Sequence, residues 1–311
     1  MENTIDSLVS DWLENTSVSD STKKAYRYLI SQWFYYLHSK NINVNSPRRP
    51  DLLDYKTLLQ QKKYRVATIN YRLSVIRQFY QYREAAHGVK NIALGVKNLR
   101  KENLIAREPL TAIQVVQLLS NIEKTDIKGL RDFAIINLVA RTGLRRCEVE
   151  RLNINDLSLN PPGLKIRRKG ANDKKPFPVH VSITNPIQEY IDARIVENLN
   201  EPLFVSHGNR NKDNRLSLVS LSLIVKKNLQ KIGLVGDLYT VHSLRHTAAV
   251  LAIENETPIQ ELSLFLGHSK LITTQVYLKT LNDKLNRNDK ALSSIDKALK
   301  AAENSLKRQS F

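Results

Sequence analysis

Two histidines flank an arginine in the segment TVHSLRHTAA, residues 240–249, and their spacing permits two kinds of chemistry. His242 and His246 lie four residues apart, a spacing that puts two metal ligands on one helix face in some zinc enzymes. Arg245 lies between them and argues against a metal, because a fixed cation opposes a second cation. If Arg245 instead binds a phosphate, His242 lies one helical turn before it and is placed to transfer a proton there.

A second arginine suited to binding phosphate lies in the segment ARTGLRRCEVERL, residues 140–152. Gly143 interrupts a helical pattern, which restarts at Arg145 and continues through Glu148. An arginine at a helix start presents a fixed fork of donors that grips a phosphate bidentately, and the helix N-terminus favours the anion. The alternative is a surface salt bridge between Arg145 and Glu148, which lie three residues apart on the helix.

The remaining candidates are a lysine, a histidine and a tyrosine. Lys169 lies at the tip of a predicted hairpin, where a basic turn is either solvated or inserted into a DNA groove. In LSLFLGHSKLITTQVYLKT, residues 262–280, Gly267 ends a helical pattern, His268 follows it, and Tyr277 comes nine residues later. A tyrosine on a helix serves either as a packing residue or, beside such cations, as a nucleophile.

Composition and charge limit the class of protein. The chain has 311 residues, enough for two domains, and 41% of them are hydrophobic, as in a globular protein. Its lone cysteine, Cys147, excludes an internal disulfide framework and a cysteine-based zinc cluster. The N-terminus lacks the basic region of a secretory signal, so we expect a cytoplasmic protein. Residues 21–105 hold 17 Lys and Arg against four acids, which favours a polyanion such as nucleic acid as partner, although a merely basic protein remains the alternative.

The elements that must position these residues are mostly helices. Apolar residues recur at helical spacing in 21–40 and 66–88, a second helix restarts after the prolines of 46–63, and residues 3–14 can form a short leading helix. Together they predict a bundle of four or five helices with basic outer faces. We expect Arg65, Arg72 and Arg77 to lie off the core stripe of 66–88. They are candidate DNA contacts, and they can equally bind the phosphates as the bases.

A domain boundary is expected near residue 105, before the charged segment that ends in Pro109. The second domain starts with helices over 111–121 and roughly 129–141. Apolar arms around a Gly-Ala-Asn-Asp turn predict a β-hairpin in 164–181, and helices resume from about 185. The tail, 281–311, has leucines seven apart, which predicts an amphipathic helix or a short coiled coil.

Four ordered motifs together resemble the signature of the tyrosine recombinases, the phage-integrase and Xer-like site-specific recombinases. They are TGLRRCE, RKGAND, HSLRH and LGHSKLITTQVY, with 23 residues from Arg245 to His268 and nine from His268 to Tyr277. REPLT resembles the usual start of the family's catalytic domain, and the basic helical segment before it resembles the SAM-like core-binding domain. The resemblance spans roughly residues 10–280.

The resemblance implies a mainly α fold with a small β-sheet or hairpin, divided into three parts. Residues 1–105 are the SAM-like core-binding domain, 106–280 the DNA breaking-rejoining catalytic domain, and 281–311 a tail helix. The tail either packs on its own domain or, as the resemblance implies, reaches a neighbouring protomer. The implied partners are double-stranded DNA with an inverted-repeat core site, a dimer on one site, a tetramer in the synapse and possible DNA-bending accessory proteins. No membrane, metal or cofactor is implied.

The resemblance also implies roles for the candidate residues. Tyr277 attacks the phosphorus of a DNA phosphodiester and forms a 3′-phosphotyrosyl link. Arg145, Arg245 and His268 stabilise the transition state, with His268 donating a hydrogen bond. The remaining roles are proton transfer from Tyr277 to His242, protonation of the leaving 5′-oxygen by Lys169, orientation by Glu148, and structure for His246. Because hairpins shift register easily, Arg168, Lys174 or Lys175 can stand in for Lys169.

Two rival functions share this scaffold. A type IB topoisomerase or a hairpin telomere resolvase uses similar chemistry and differs in the topology of its product. A non-catalytic DNA-binding regulator forms no covalent bond to DNA. We therefore expect a site-specific recombinase that integrates, excises or resolves DNA, and we keep these two readings as alternatives.

Overall fold

The computed structural model describes residues 2–100, 108–208, 212–268 and 274–275. The chain divides into two compact units, Met1–Leu104 and Ile105–Phe311. Tyr277 and the predicted tail helix, 281–311, lie outside the described residues. None of the described helices combines the length and the apolar composition that crossing a membrane requires.

The described part of the first unit is a bundle of four helices, at the lower end of the predicted number. Ser19 caps the second helix by accepting a hydrogen bond from the backbone of Thr22, and two tryptophans, Trp12 and Trp33, are buried in the core with Phe79. The helices are α1 (Glu2–Glu14), α2 (Asp20–Ser39), α3 (Arg49–Gln61) and α4 (Val66–His87).

The second unit packs seven described α-helices with one small sheet. Asp126 caps α6 through the backbone N–H of Gly129, and Thr240 caps α10 through that of His242. The helices are α5 (Ala112–Ser120), α6 (Ile127–Thr142), α7 (Arg146–Glu150), α8 (Val181–Asp192), α9 (Leu218–Lys231), α10 (Val241–Glu254) and α11 (Ile259–Leu266).

The sheet has three antiparallel strands in the order β1-β2-β3: β1 (Leu157–Leu159), β2 (Pro162–Ile166) and β3 (Lys175–Pro178). The predicted hairpin is formed by β2 and β3, with Leu164 opposite Phe177, and residues 167–174 connect the two strands. The strand β1 was not predicted, because its three residues are too few to show an alternating pattern. The expected mainly α fold with a small β-sheet is confirmed.

Two glycines end the helices that lead into the candidate site. Gly143 after α6 and Gly267 after α11 have φ values of 61° and 65°, in the left-handed region that side chains other than glycine rarely adopt. The chain therefore turns sharply at both points. Arg145 follows the first turn and His268 follows the second, which brings the ends of α6 and α11 into the same region as α10.

Candidate active site

Arg145 is held rigidly at the start of α7. Its backbone N–H donates to Glu148 Oε2 at 2.9 Å, and its guanidinium Nη1 lies 3.0 Å from Glu148 Oε1. Nη2 donates to the carbonyl oxygen of Gly267 at 3.1 Å. The expected ion pair between Arg145 and Glu148 is present, but Glu148 is fully buried, so its expected position on the surface is wrong. The contact is an internal one that fixes the direction of the arginine side chain.

Arg245 is a second, more deeply buried cation on α10, with an exposed fraction of 4%. Its Nη1 donates to the carbonyl oxygen of Gly143 and its Nη2 to that of Leu266 at 2.8 Å. Arg145 Nη1 lies 3.4 Å from the same Leu266 oxygen, so the two guanidinium groups converge on one acceptor. Arginine keeps its charge even when buried. Two fixed positive charges therefore lie side by side.

Three arginines bind the C-terminal end of α11. The carbonyl oxygen of Phe265 accepts from Arg168, that of Leu266 from Arg145 and Arg245, and that of Gly267 from Arg145. The last carbonyls of a helix have no partner within the helix, and they form the negative end of its dipole. The arginines thus supply the hydrogen-bond donors that these carbonyl groups lack within the helix, and the carbonyl groups in turn orient the arginine side chains.

His268 lies next to Arg245 and is neutral at physiological pH. Its Nε2 is 2.8 Å from Arg245 Nη2, and its Nδ1 is 2.7 Å from Thr274 Oγ1. Burial, followed by the positive charges of Arg245 and Arg145, lowers the pKa of His268 to about 4. Because a guanidinium can only donate, Nε2 accepts and Nδ1 bears the proton. This arrangement differs from the expectation that His268 donates a hydrogen bond to phosphate, since Nε2 is engaged as an acceptor.

Glu148 links the first arginine to the hairpin. It accepts from the backbone N–H of Lys169 at 3.2 Å and from Arg168 Nη1 at 3.4 Å, in addition to Arg145. Burial alone raises the pKa of Glu148, but hydrogen bonds from Arg145 and the charges of Arg145 and Arg168 outweigh it and leave the pKa below its usual value. The carboxylate is therefore ionised and fully used as an acceptor.

The hairpin's four basic candidates lie in different environments. Lys169 has an exposed side chain at the tip, whereas Arg168 is bound to Glu148 and to the carbonyl oxygen of Phe265. Lys174 forms an ion pair with the buried Asp156. Lys175 is an exposed residue of β3. These contacts favour Lys169 over Arg168 and Lys174 as a cation that can reach a substrate.

The two histidines of α10 have unequal environments. His242 is exposed in the first turn, and its backbone N–H donates to the cap residue Thr240. His246, one turn later, is buried, with an exposed fraction of 5%. In the described part of the chain, no three His, Cys, Asp or Glu side chains are grouped as a metal site. Only His242 of this pair has access to a substrate on the surface of the unit.

The three arginines predicted to contact DNA lie in the first unit, on or beside α4. Arg65 is exposed at the start of the helix. Arg77 is half-buried and donates to the carbonyl oxygen of Val96. Arg72 is buried, with an exposed fraction of 8%; it donates to the Tyr55 hydroxyl and packs over the Tyr64 ring. The expected outer-face position of Arg72 is wrong, because two tyrosines provide a polar and aromatic site for its guanidinium inside the bundle.

Sequence reasoning missed two residues that shape the site. Thr274 is fully buried and bound to His268, and a threonine in the polar run from Thr273 to Gln275 gives no sign in the sequence that it is buried. Arg168 was considered only as a substitute for Lys169, and its contacts with Glu148 and Phe265 join segments 20 and 97 residues away. The adjacency of Arg168 to the candidate lysine was the one available signal.

Known proteins resemble this chain over most of its length. The model of the phage integrase family matches residues 108–284, and that of the phage integrase N-terminal SAM-like domain matches residues 5–87. Tyrosine recombinase XerC of Herpetosiphon aurantiacus is 28% identical over 280 residues, covering 88% of this chain and 89% of that protein. XerC of Histophilus somni is 33% identical over 208 residues, covering 66% of this chain and 68% of that protein.

A solved structure supports the fold. The site-specific recombinase XerH, bound to a palindromic difH substrate in a post-cleavage complex, superposes with a TM-score of 0.67 at 20% identity. The match covers 83% of this chain and 75% of that one. The likeness extends the agreement from sequence motifs to the three-dimensional arrangement of the helices and the sheet.

Proposed function

This chain belongs to the phage integrase family, and we propose that it is a site-specific DNA recombinase that cuts and rejoins DNA through a 3′-phosphotyrosyl intermediate. The observation that carries the proposal is the convergence of Arg145 and Arg245 on the carbonyl oxygen of Leu266. Two fixed guanidinium groups side by side match the two non-bridging oxygens of a phosphodiester. Their charge stabilises the pentacoordinate transition state, in which negative charge gathers on those oxygens.

The proposed reaction has two steps. In the first, the Tyr277 oxygen bonds to phosphorus, the bond from phosphorus to the 5′-oxygen breaks, and Lys169 protonates the leaving oxygen. His242 takes the tyrosine proton, because a phenol with a pKa of about 10 is a weak nucleophile at neutral pH. In the second step a 5′-hydroxyl from the partner strand attacks the phosphotyrosine and restores Tyr277. The energy of the cleaved bond is kept in the intermediate.

Other residues act through these groups. Glu148 orients Arg145 and the hairpin, and His268 orients Arg245 by accepting a hydrogen bond from Nη2. We assign residues 1–105 to core binding and 106–280 to catalysis, which the matches at 5–87 and 108–284 support. The 17 basic residues of 21–105 support binding to the DNA backbone with a steep dependence on salt. Arg65 is the exposed member of the three candidate contacts on α4.

We also propose that the protein acts as a dimer on an inverted-repeat site and as a tetramer when two sites pair. An apolar groove in the second unit, with a volume of about 1020 Å³, supports a contact between protomers that receives the tail, 281–311. Its walls include Val115, Val116, Leu251, Ala252 and Phe265. Accessory DNA-bending proteins and a nucleoid-associated cytoplasmic location complete the proposal. Leu299→Glu in the tail should preserve binding to one site and abolish pairing of two sites in gel-shift assays.

A nicked suicide substrate tests the chemistry. The nick lets the fragment beyond the cleavage site diffuse away, so the phosphotyrosyl intermediate accumulates. We expect a covalent protein–DNA adduct that forms in the presence of EDTA and is lost in Tyr277→Phe. Absence of the adduct on the protein's own binding site would contradict the proposal, and relaxed circles or hairpin ends in place of strand exchange would identify a topoisomerase or a telomere resolvase.

A further inference from the structure

The segment that presents Lys169 is anchored by the residue before it. Arg168 Nη2 donates to the carbonyl oxygen of Phe265 at 2.6 Å, and Nη1 lies 3.4 Å from Glu148 Oε2. The guanidinium carbon also lies 4.9 Å from the centre of the Phe177 ring, on the returning strand β3. The Arg168 side chain therefore ties the 167–174 connection to α7, α11 and β3 at once.

Close packing fixes the stem of Arg168 as well as its head. A Cβ atom placed on Gly267 would lie 3.0 Å from both Cδ and Nε of Arg168, a distance shorter than ordinary van der Waals contact. The absence of a side chain at Gly267 thus lets the arginine lie directly against the turn that leads to His268. The Arg168 stem therefore occupies the space that a side chain at Gly267 would fill.

The side chain of Lys169 makes few contacts that could fix its position. Its side chain is exposed, and within the described residues its ammonium group makes no hydrogen bond or ion pair. Its backbone N–H donates to Glu148 Oε1, the carboxylate that also binds Arg145 and Arg168. A lysine side chain is long and flexible, so the place of its ammonium group depends on where its backbone is fixed.

From these contacts we infer that Arg168 is a positioning residue for Lys169. By fixing the backbone of Lys169, Arg168 places the lysine ammonium group at the leaving 5′-oxygen while Arg145 holds the phosphate. The inference rests on the proposed function of Lys169 as the proton donor. Glu148 is the common point, because one buried carboxylate fixes the phosphate-binding arginine and the proton-donating lysine relative to each other. Loss of Arg168 removes one of the two hydrogen bonds that join the hairpin to Glu148, and it also removes the hydrogen bond from the hairpin to Phe265.

A substrate with sulfur in place of the 5′-bridging oxygen isolates proton donation to the leaving group. A thiol has a pKa of about 8.5, so the thiolate departs without a proton from the enzyme. The tyrosine oxygen still bonds to phosphorus, and the bond from phosphorus to sulfur breaks in place of the bond to oxygen. A defect in proton donation disappears with this substrate, whereas a defect in phosphate binding or folding persists.

The experiment measures single-turnover cleavage of matched oxygen and sulfur suicide substrates by the full-length protein. We expect Arg168→Ala to slow cleavage of the oxygen substrate on the order of 100-fold, the loss typical of a displaced catalytic group. The sulfur substrate should restore most of that rate, as it should for Lys169→Ala. Arg167→Ala is the matched control, because Arg167 is the neighbouring arginine and, among the described residues, forms no hydrogen bond or ion pair with Glu148. Its oxygen-to-sulfur rate ratio should therefore equal that of the unmodified protein.

The outcomes separate this inference from the proposed function. If sulfur restores Lys169→Ala but not Arg168→Ala, or if Arg168→Ala cleaves the oxygen substrate at the normal rate, Arg168 does not position the lysine. If sulfur fails to restore Lys169→Ala, the assignment of Lys169 as the proton donor is the part that fails. Should Arg168→Ala not fold, Arg168→Met keeps an aliphatic stem against Gly267 and removes the hydrogen-bond donors. The ratio of its rates on the oxygen and sulfur substrates then tests the inference in the same way.

Discussion

Arg245 Nη2 lies 2.8 Å from Nε2 of His268, and this contact fixes both the charge and the tautomer of the histidine. An arginine cannot accept a hydrogen bond, so the imidazole must be neutral with its proton on Nδ1. Thr274 Oγ1 receives that proton's hydrogen bond at 2.7 Å. The histidine therefore acts as a spacer between a buried cation and a buried hydroxyl group.

The low pKa of His268 predicts a pH dependence of stability. The pKa is about 4 in the folded protein and about 6.5 in the unfolded chain, so between these values the unfolded chain binds the proton and the folded protein does not. The free energy of unfolding should therefore fall as pH falls from about 6.5 towards about 4. His268→Asn should make this fall shallower in urea unfolding experiments across that range. Identical pH profiles for the two proteins would show that His268 titrates normally.

The hydrogen bond from His268 to Thr274 predicts a specific loss of activity. Thr274→Val removes the acceptor and keeps the shape, so the imidazole loses the contact that fixes its tautomer. We expect single-turnover cleavage to slow by roughly 3- to 10-fold, the equivalent of a hydrogen bond of about 0.5–1.5 kcal/mol. Thr274→Ser keeps the hydroxyl group and should retain most of the rate. Equal rates for the two variants would contradict the role of the hydroxyl group.

The turn at Gly143 predicts a difference between two glycine substitutions. A Cβ atom on Gly143 would lie 2.8 Å from Leu266 Cδ2 and 3.6 Å from Arg245 Cγ, whereas one on Gly88 meets nothing within 4 Å. Both glycines have nearly the same backbone conformation, with φ of 61° and 64°. Gly88→Ala should cost about 1–2 kcal/mol of unfolding free energy from backbone strain alone.

Gly143→Ala should cost more than Gly88→Ala and should also slow cleavage, because the added methyl group displaces Leu266 and the Arg245 stem. Chemical unfolding and the suicide-substrate assay measure the two effects. If the two variants lose the same free energy of unfolding and both cleave DNA at the normal rate, the close approach of Leu266 to Gly143 contributes neither to stability nor to catalysis.

The burial of Arg72 predicts that two arginines of the same region fail in different ways. Arg72→Ala leaves the Tyr55 hydroxyl without its donor and removes the packing on Tyr64, so it should lower the free energy of unfolding by about 1–3 kcal/mol. Arg65→Ala, at an exposed position, should leave stability nearly unchanged and weaken DNA binding. Urea unfolding and binding at two salt concentrations measure both. The reverse pattern would contradict the proposed division of roles.

Sequence motifs were sufficient to predict the helices around the site and to select Arg145, Arg245 and His268, because residue type and spacing carry that information. They could not predict what holds these side chains. The acceptors are carbonyl oxygens of Gly143, Leu266 and Gly267, and every amino acid has such an oxygen, so no residue type marks the position. The burial of Arg72 was missed for a related reason, since its partners come from a different helix and a preceding turn.

The end of α11 sets the positions of the positive charges in the candidate site. Three successive carbonyl groups, from Phe265 to Gly267, each bind an arginine, so their angular spacing sets where the guanidinium groups lie. Adding or deleting one residue within α11 rotates its end by about 100° and breaks all of these contacts together. Substitution of exposed residues such as Glu261 or Leu264 leaves the carbonyl groups in place. Natural variation in this helix is therefore expected to change its exposed residues and to conserve its length.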